Sequence, residues 1–239
     1  PKLFSALKIS EHFTKNVKNI PAEADAGVAV LLESMSTELR RRRFRRIFAA
    51  VMNRRETVFE YLDAHGIEYT WYEHPEAYTV AEAQRYCHGD GAQHCKNLFF
   101  RNHKGTRHYL VSLDCNHDLD IHSLERRLGQ GRLSFASPER MERYLGLRPG
   151  SVSPFGLIND TQNHVHLFLD RALAAKPVLS FHPNDNRATV VIAREQFERY
   201  LAAVGNSYEY IEGISRFAVS DVYSPPECFA SPPVVKRAP

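Results

Sequence analysis

Three short segments of the sequence carry side chains that could bind a small substrate and polarise it. Lys96 and Asn97 stand at the start of the apolar run 98–100, where a lysine needs solvent, an ion partner or a substrate. The loop "PGSVSPFGLIND" (149–160) can bring backbone N–H groups close to a ligand, because few side chains stand in the way. The segment "SFHPNDN" (180–186) places one histidine and two asparagines before an apolar strand.

Each segment also has a purely structural interpretation. Lys96 can extend its ammonium to solvent, and the stretch from Gly150 to Pro154 can be an ordinary turn. His182 and Asn184 can stabilise a turn of their own. The sequence has no G-x-S-x-G, H-E-x-x-H or Walker motif. A hydrolase of this kind is therefore expected to position its substrate and polarise a carbonyl, with water or a substrate hydroxyl as the nucleophile.

The four cysteines show no disulfide-framework spacing, which favours a reducing, cytoplasmic compartment. Cys87, His88, His94 and Cys95 could be imagined around a zinc ion. Their spacing matches no standard zinc motif, and ordinary thiols and surface histidines are the simpler interpretation. We therefore expect no metal and no cofactor.

Composition indicates a soluble globular protein. Hydrophobic residues make up 43% of the 239 residues, and charged residues make up 25%. No apolar run approaches the roughly 20 residues that span a bilayer, so no membrane partner is expected. The formal charge of +3 is unevenly distributed, with +6 in residues 1–56 and −3 in the remainder.

The basic character is concentrated in an arginine cluster, which has two interpretations. Residues 37–55 hold eight arginines against one acid, Glu38. Such a run is usually a solvated helix face, but it can also be an arm that contacts nucleic-acid phosphates. The candidates for tRNA contact are Arg40, Arg41, Arg42, Arg43, Arg45, Arg46 and, further along the chain, Arg132.

Periodicity predicts an N-terminal helical extension followed by a mixed α/β region. Apolar residues at helical spacing predict helix from Ser36 to about His65, ended by Gly66, with a kink near Asn53. Strands are predicted at 67–73, in a hairpin over 96–114, and at 132–136, 163–170 and 187–193. Helices are predicted at 79–87, 118–129, 137–146 and 194–205. Thr79 and Glu82 are spaced as a capping box.

Three segments, taken together, resemble a known family. They are "GAQHCKNLFFRNHKG", "RLSFASPERMERYLGLRPGSVSPFGLIND" and "SFHPNDNRATVVI". In order and spacing they are similar to the YbaK / prolyl-tRNA-synthetase-associated editing domain family, in particular its trans-acting alanyl-tRNA(Pro) deacylases. The resemblance covers about residues 54–212. It leaves out the basic extension 1–53 and the Pro-rich tail 213–239, which we interpret as separate segments.

The resemblance implies roles for particular residues. The lysine of the K-N-L-F motif, here Lys96, is essential for deacylation in a small pocket, with Asn97 beside it as a substrate contact. The G-x-x-x-P loop holds the terminal adenosine and the ester carbonyl. The residues of that loop here are Gly150, Ser151, Val152, Ser153 and Pro154. The histidine of the F-H-P motif, here His182, helps to select the amino acid, and Asn184 is a further substrate contact.

The fold that the resemblance implies is a mixed α/β structure with a mostly antiparallel, curled β-sheet core and helices around it. The implied activity is hydrolysis of mischarged tRNA, most of all alanyl-tRNA(Pro), by a small pocket that excludes proline by its bulk. Two alternatives remain. One is deacylation of cysteinyl-tRNA(Pro) or of seryl- or threonyl-tRNA. The other is a non-catalytic tRNA-binding module associated with, or fused to, prolyl-tRNA synthetase.

Overall fold

The structure is a computed structural model that describes residues 54–77, 79, 82–83, 85–86 and 91–217. The predicted basic extension with its arginine cluster, the Pro-rich tail beyond residue 217, and the cysteine and histidine at 87 and 88 lie outside these residues. The domain boundaries at 53 and 212 therefore stay predictions.

Ten strands, four α-helices and two 3-10 helices lie in the described part of the chain. The strands are β1 (Thr70–Glu73), β2 (Gln93–Arg101), β3 (His108–Asp114), β4 (His117–Leu119), β5 (Ser134–Phe135), β6 (Val165–Asp170), β7 (Val178–Phe181), β8 (Ala188–Ala193), β9 (Tyr208–Ile211) and β10 (Ser215–Phe217). The α-helices are α1 (Arg54–Ala64), α2 (Ile121–Leu128), α3 (Pro138–Leu145) and α4 (Arg194–Val204). The 3-10 helices span Pro154–Asn159 and Arg171–Ala175.

The main sheet is mixed, which confirms the predicted α/β class. Its strand order is β1-β8-β7-β2-β3-β6-β9, with β5 added beside β2. The neighbours β1–β8, β7–β8, β2–β3 and β2–β5 are antiparallel, whereas β2–β7, β3–β6 and β6–β9 are parallel. β4 and β10 form a separate antiparallel ribbon. The curled shape that the family resemblance implies stays a prediction.

The predicted hairpin at 96–114 is confirmed as β2 and β3, and it separates two apolar cores. Side chains alternate between the two faces of a strand. Phe99 and Leu110, which are paired across the hairpin, belong to the larger core. Phe100 and Val111, one position further along each strand, belong to a second core under α2. Both faces of the hairpin are therefore covered, which makes β2 a rigid support for whatever it carries.

β2 changes partner along its length on the edge that faces away from β3. It pairs with β7 only at Gln93 and His94, and with β5 only at Phe100 and Arg101. In the described part of the chain no strand pairs with that edge over residues 95–99. The sheet is therefore open at the position of the Lys-Asn pair.

The helix ends follow the local sequence signals. The Asp120 side chain accepts a hydrogen bond from the Ser123 backbone N–H at the start of α2, and Ser137 caps α3 in the same way. Gly129 and Gly146 end these helices in the left-handed conformation. The capping box is also confirmed: the backbone N–H of Thr79 donates to the Glu82 carboxylate, and that of Glu82 to the Thr79 hydroxyl.

Four predictions about elements need correction. The helix predicted from residue 118 begins at Ile121, because residues 117–119 form β4 against β10. The loop predicted at 149–160 is in part a 3-10 helix with Ser153 as its N-cap. The segment 180–186 begins inside β7, and the strands β4, β7, β9 and β10 were not predicted. Within the described ranges, no helix is long and apolar enough to cross a membrane.

Candidate functional site

A cavity of about 310 Å³ opens beside the unpaired edge of β2. Five consecutive residues of that strand, 94–98, line it, so the cavity reaches the strand edge itself and not only one face. Opposite them stand residues 180–182 of β7 and the following loop, with Gly150 and Val152 as a further wall. The remaining lining residues are Ala77, Thr79, Ala83, Cys115 and Thr189.

The structure places Lys96 in this cavity with an ion partner. Its ammonium Nζ lies 3.1 Å from the carboxylate Oδ1 of Asp118 on β4, and its side chain is 18% exposed. The Asp118 side chain is 56% exposed, so the pair stands at the mouth and not in the interior. This arrangement holds a cation at a defined position beside the cavity, where it can meet an anionic group.

Asn97 is fixed by its neighbour in the hairpin. The Ser112 hydroxyl donates a 2.7 Å hydrogen bond to the Asn97 carbonyl Oδ1, and the two residues are direct cross-strand partners. The amide nitrogen of Asn97 makes no hydrogen bond within the described part of the chain. Because Asn97 also lines the cavity, this nitrogen is a donor that a substrate can use.

The G-x-x-x-P loop brings two of its five residues to the cavity, Gly150 and Val152. Gly150 has φ +87°, a left-handed conformation that favours glycine and turns the backbone toward the cavity. Ser151, Ser153 and Pro154 are buried and do not line the cavity. They make contacts inside the protein instead.

These three buried residues hold the loop in place. The Ser151 hydroxyl donates to the backbone carbonyl of Arg148 at 2.9 Å. The Ser153 hydroxyl accepts from the Phe155 backbone N–H at 3.2 Å, which caps the 3-10 helix. The buried Tyr200 hydroxyl donates to the Pro154 carbonyl at 2.8 Å. The structure thus gives them a role in positioning the loop.

His182 lines the cavity as a neutral imidazole of defined tautomer. Its Nδ1 lies 2.9 Å from the Ala188 carbonyl, which can only accept, so Nδ1 carries the proton and Nε2 is an acceptor. Burial lowers the pKa of His182, so its ring is uncharged at neutral pH. The His74 ring stands 5.9 Å away, and a charge there lowers the same pKa further.

Asn184 supports the site from behind the cavity wall. It is buried, has φ +60°, and donates from Nδ2 to the Phe155 carbonyl at 3.2 Å. That bond ties the segment after β7 to the G-x-x-x-P loop. Asn184 does not itself line the cavity.

The sequence argument did not name His94, Ser180 or Cys115 as substrate-site residues, although all three line the cavity. His94 and Ser180 meet across β2 and β7, where the Ser180 hydroxyl lies 2.6 Å from the His94 Nδ1. Cys95 and Cys115 line the same cavity, and neither forms a disulfide bond with a described residue. Burial raises the pKa of the Cys95 thiol well above its usual value, so it is protonated at neutral pH and is not a thiolate nucleophile. The nearness of His94 and Ser180 has no local sequence signal, because it depends on strand pairing.

The remaining candidates lie elsewhere. Arg132 is exposed just before β5 and away from the cavity lining, and the six clustered arginines lie outside the described residues. Among the residues that the structure describes, no three histidine, cysteine or acidic side chains are grouped so that they could hold a metal ion.

Comparison with known proteins gives a consistent result. The aminoacyl-tRNA editing domain matches residues 74–200. The prolyl-tRNA editing protein ProX of Acetoanaerobium sticklandii is 39% identical over 161 residues, which make up 67% of this chain and 98% of ProX. The prolyl-tRNA synthetase associated domain-containing protein 1 of Danio rerio is 33% identical over 154 residues, 64% of this chain and 83% of that protein.

The fold is also shared with a solved structure. The crystal structure of hypothetical protein APE2540 superimposes with a TM-score of 0.53 at 21% sequence identity, covering 66% of this chain and 99% of that one. At this identity the likeness concerns the fold alone.

Proposed function

This chain belongs to the aminoacyl-tRNA editing domain family, and we propose that the substrate it edits is alanyl-tRNA(Pro). As an editing protein it is an aminoacyl-tRNA deacylase, an enzyme that hydrolyses the ester between an amino acid and the terminal ribose of tRNA. A misacylated tRNA(Pro) is the proposed partner, since ProX is named for prolyl-tRNA editing.

One observation carries the proposal: residues from three separate segments surround the same small cavity. Lys96 and Asn97 come from β2, Gly150 from the G-x-x-x-P loop, and His182 from the segment after β7. The cavity has a volume of about 310 Å³, and its walls include small residues. The proposed discrimination is steric: the part of the cavity that takes the amino-acid side chain accepts alanine and rejects the bulkier proline ring.

The proposed mechanism needs only modest assistance, because an aminoacyl ester is already activated. Water attacks the ester carbonyl, and the 2′-hydroxyl of the terminal ribose orients that water or relays its proton to the departing ribose oxygen. The Lys96 ammonium, positioned by Asp118, neutralises the 3′-terminal phosphate or the negative charge that develops on the carbonyl oxygen. The backbone at Gly150 and the Asn97 amide nitrogen orient the ester, so that positioning supplies much of the rate. His182 bounds the space left for the amino-acid side chain.

The experiment is a deacylation panel on the full chain. Purified protein is mixed with alanyl-, cysteinyl-, seryl-, threonyl- and prolyl-tRNA(Pro), and the rate of ester loss is measured for each. We expect alanyl-tRNA(Pro) to be hydrolysed fastest and prolyl-tRNA(Pro) to be spared. If the cysteinyl, seryl or threonyl ester is hydrolysed fastest, the proposed substrate changes from the alanyl ester to that ester.

The variant Lys96→Ala, measured in the same deacylation panel, tests whether the activity depends on this lysine. We expect it to reduce the rate by about 100-fold or more, because it removes the cation beside the reacting ester. Lys104→Ala is the control, since Lys104 is exposed in the β2–β3 turn. If neither the wild type nor the variants hydrolyse any ester while all bind tRNA, the chain is a binding module.

Association with prolyl-tRNA synthetase is part of the same proposal. The Danio rerio relative is named for that synthetase, and an editing enzyme gains from meeting its substrate where the error is made. The cytoplasm, where charged tRNA is used, is the proposed place of action. Co-purification of the full chain with prolyl-tRNA synthetase in the presence and absence of tRNA tests this association.

A further inference from the structure

Phe135 exposes an aromatic ring beside the opening in the sheet. It is 66% exposed, although β5 is a strand of the main sheet. A single exposed phenylalanine is ordinary on a protein surface, so its exposure alone indicates nothing. Its position is what matters. β5 pairs with β2 at Phe100 and Arg101, just after the stretch of β2 that lines the editing cavity.

The second apolar core holds the Phe135 ring in place. The ring stacks on that of Phe100, with 4.6 Å between the centroids and 27° between the planes, and Phe100 is 1% exposed. Leu133 is buried in the same core, and its backbone N–H donates a 2.7 Å hydrogen bond to the Glu125 carboxylate of α2. Phe100 covers one face of the Phe135 ring, and the large exposed fraction leaves the other face open to solvent.

Phe135 stands on the same face of the sheet as Lys96. Side chains two residues apart leave one face of a strand, so Lys96, Leu98 and Phe100 form a row along β2. Lys96 stands at the cavity mouth, Leu98 lines the cavity, and Phe100 carries the Phe135 ring. Phe100 follows Lys96 by four residues, about 13 Å along the strand. A chain that enters the cavity past Lys96 can therefore reach the ring.

We propose that the open face of the Phe135 ring stacks on one of the two unpaired cytosines that precede the terminal adenosine of tRNA. The inference rests on the proposed function, because it places the terminal ribose and its ester in the cavity. A single strand whose last nucleotide lies in the cavity carries its preceding bases out across the mouth. Every base has a π-face, and aromatic side chains are the groups on which single-stranded nucleic acid stacks.

The charges around the ring agree with a nucleic-acid strand. Arg132 is exposed three residues before Phe135, where it can contact a phosphate. The Arg101 guanidinium donates to the backbone carbonyls of Asn102 and His103 and forms no ion pair with a described carboxylate. Both arginines therefore keep a positive charge that a phosphate can neutralise. A purely apolar partner would have no use for these cations.

The test measures binding of uncharged tRNA(Pro) to the full chain, so it does not depend on which ester is hydrolysed. Stacking of one base typically changes affinity by about tenfold, and we expect that loss for Phe135→Ala. Phe135→Trp keeps an aromatic face and should stay within about threefold of the wild type, whereas Phe135→Leu should bind as weakly as the alanine variant. Tyr208→Ala, at an exposed position on β9, is the control and should bind like the wild type.

Two further measurements separate stacking from a change in the fold. With tRNA(Pro) trimmed of its unpaired C-C-A end, the wild type and Phe135→Ala should bind with the same Kd, because the stacked base is absent. Stacking releases no counterions, so Phe135→Ala should keep the salt slope of the wild type, whereas Arg132→Gln should lower it by about one. Hydrolysis by Phe135→Ala at saturating tRNA should stay within about threefold, with the loss in KM.

Three results would overturn the inference. The first is Phe135→Ala binding intact tRNA(Pro) within about twofold of the wild type. The second is Phe135→Leu binding as well as Phe135→Trp, since an apolar contact then suffices; this decides the matter even if Phe135→Ala fails to fold. The third is a loss of the same size on trimmed tRNA. Failure of the proposed function is a separate result, because it shows as a wild type that hydrolyses no ester although its binding still depends on Phe135 and the C-C-A end.

Discussion

At the scale of single residues, the protein group that each site side chain contacts determines its protonation or position, and so what it can offer a substrate. The Ala188 carbonyl holds the proton of His182 on Nδ1, and Asp118 holds the Lys96 ammonium at the cavity mouth. Neither partner could be assigned from the sequence, because each comes from a different strand. Lys96 and His182 themselves could be named as candidates from the sequence, since their motifs are local.

His182→Ala should change selectivity more than folding. The ring bounds the cavity, and truncating it enlarges the space for the amino-acid side chain. We expect the ratio of rates between the alanyl ester and larger esters to fall by roughly tenfold, the size of effect that one or two methylene groups have in a pocket. The measurement is the deacylation panel with melting temperatures alongside. An equal loss on every ester would assign His182 a general positioning role.

Asp118→Asn should slow hydrolysis without destabilising the protein. The substitution removes the charge that positions the Lys96 ammonium 3.1 Å away. Because the aspartate is well exposed, we expect a change in unfolding free energy below about 1 kcal/mol. We expect kcat to fall about three- to tenfold, since a misplaced catalytic cation costs rate. Glu212→Gln, which breaks the exposed pair with Arg171, is the control and should change neither quantity.

At the scale of elements, the site depends on a short 3-10 helix and on the strands that flank the opening in the sheet. The hairpin β2–β3 and the ends of α2 and α3 were predictable, because alternation, N-caps and terminal glycines are local signals. Strands β4 and β10 were not predictable, since each has three residues and exists only through its partner.

The difference between local signals and tertiary contacts also explains which residues of the G-x-x-x-P loop lie at the cavity as expected. The sequence predicted substrate contacts along the whole G-x-x-x-P loop. The structure brings Gly150 and Val152 to the cavity, while Ser151, Ser153 and Pro154 point into the protein and hold the loop. A motif identifies a loop, but the direction of each side chain follows from backbone torsions that tertiary contacts fix.

Tyr200→Phe tests the role of the buried contacts that hold the G-x-x-x-P loop in place. It removes the 2.8 Å hydrogen bond from α4 to the Pro154 carbonyl. We expect a loss of about 0.5–1.5 kcal/mol in unfolding free energy and a rise in KM, because the loop loses its anchor. Urea unfolding and steady-state kinetics measure the two effects. Tyr208→Phe, at an exposed position on β9, should leave both unchanged, and a similar loss there would contradict the assignment.

At the scale of the whole molecule, stability is expected to depend on pH through buried histidines. Burial lowers the pKa of His108 to about 4, with a further contribution from His164 and Arg140. Arg140 donates to its Nε2 at 2.9 Å, which fits a neutral ring. Burial also lowers the pKa of His166 and His182.

The sign follows from proton uptake. Between pH 6.5 and 4 the unfolded chain binds a proton at His108 that the folded chain does not bind, so stability falls as the pH falls through this range. We expect His108→Gln to lessen that fall by roughly 1–3 kcal/mol. Urea unfolding at pH 7.5 and pH 4.5 checks it. His103→Gln, at an exposed position, is the control, and equal pH dependence in all three proteins would contradict the prediction.

The basic N-terminal extension gives the prediction that concerns tRNA affinity. Each phosphate contact releases counterions, so deleting residues 1–53 should weaken tRNA binding and flatten its salt dependence. Hydrolysis at saturating tRNA should stay within about threefold, since the cavity residues lie beyond residue 53. Replacing the six clustered arginines by glutamine in the full chain separates charge from packing. Unchanged affinity and salt slope, with a lower melting temperature, would show that the extension packs on a protein surface.

The opening in the sheet beside β2 has a consequence for how the site can be mapped. The Phe99 carbonyl accepts from the Ala136 backbone N–H on the β5 side, and peptide groups along a strand alternate in direction. The peptide N–H and C=O of Asn97 therefore face the same side, where the strand lacks a partner among the described residues. Every amino acid except proline supplies these two groups. A substrate held there would be held by the main chain, so alanine scanning would miss the contact, and an amide-to-ester replacement in the backbone would detect it.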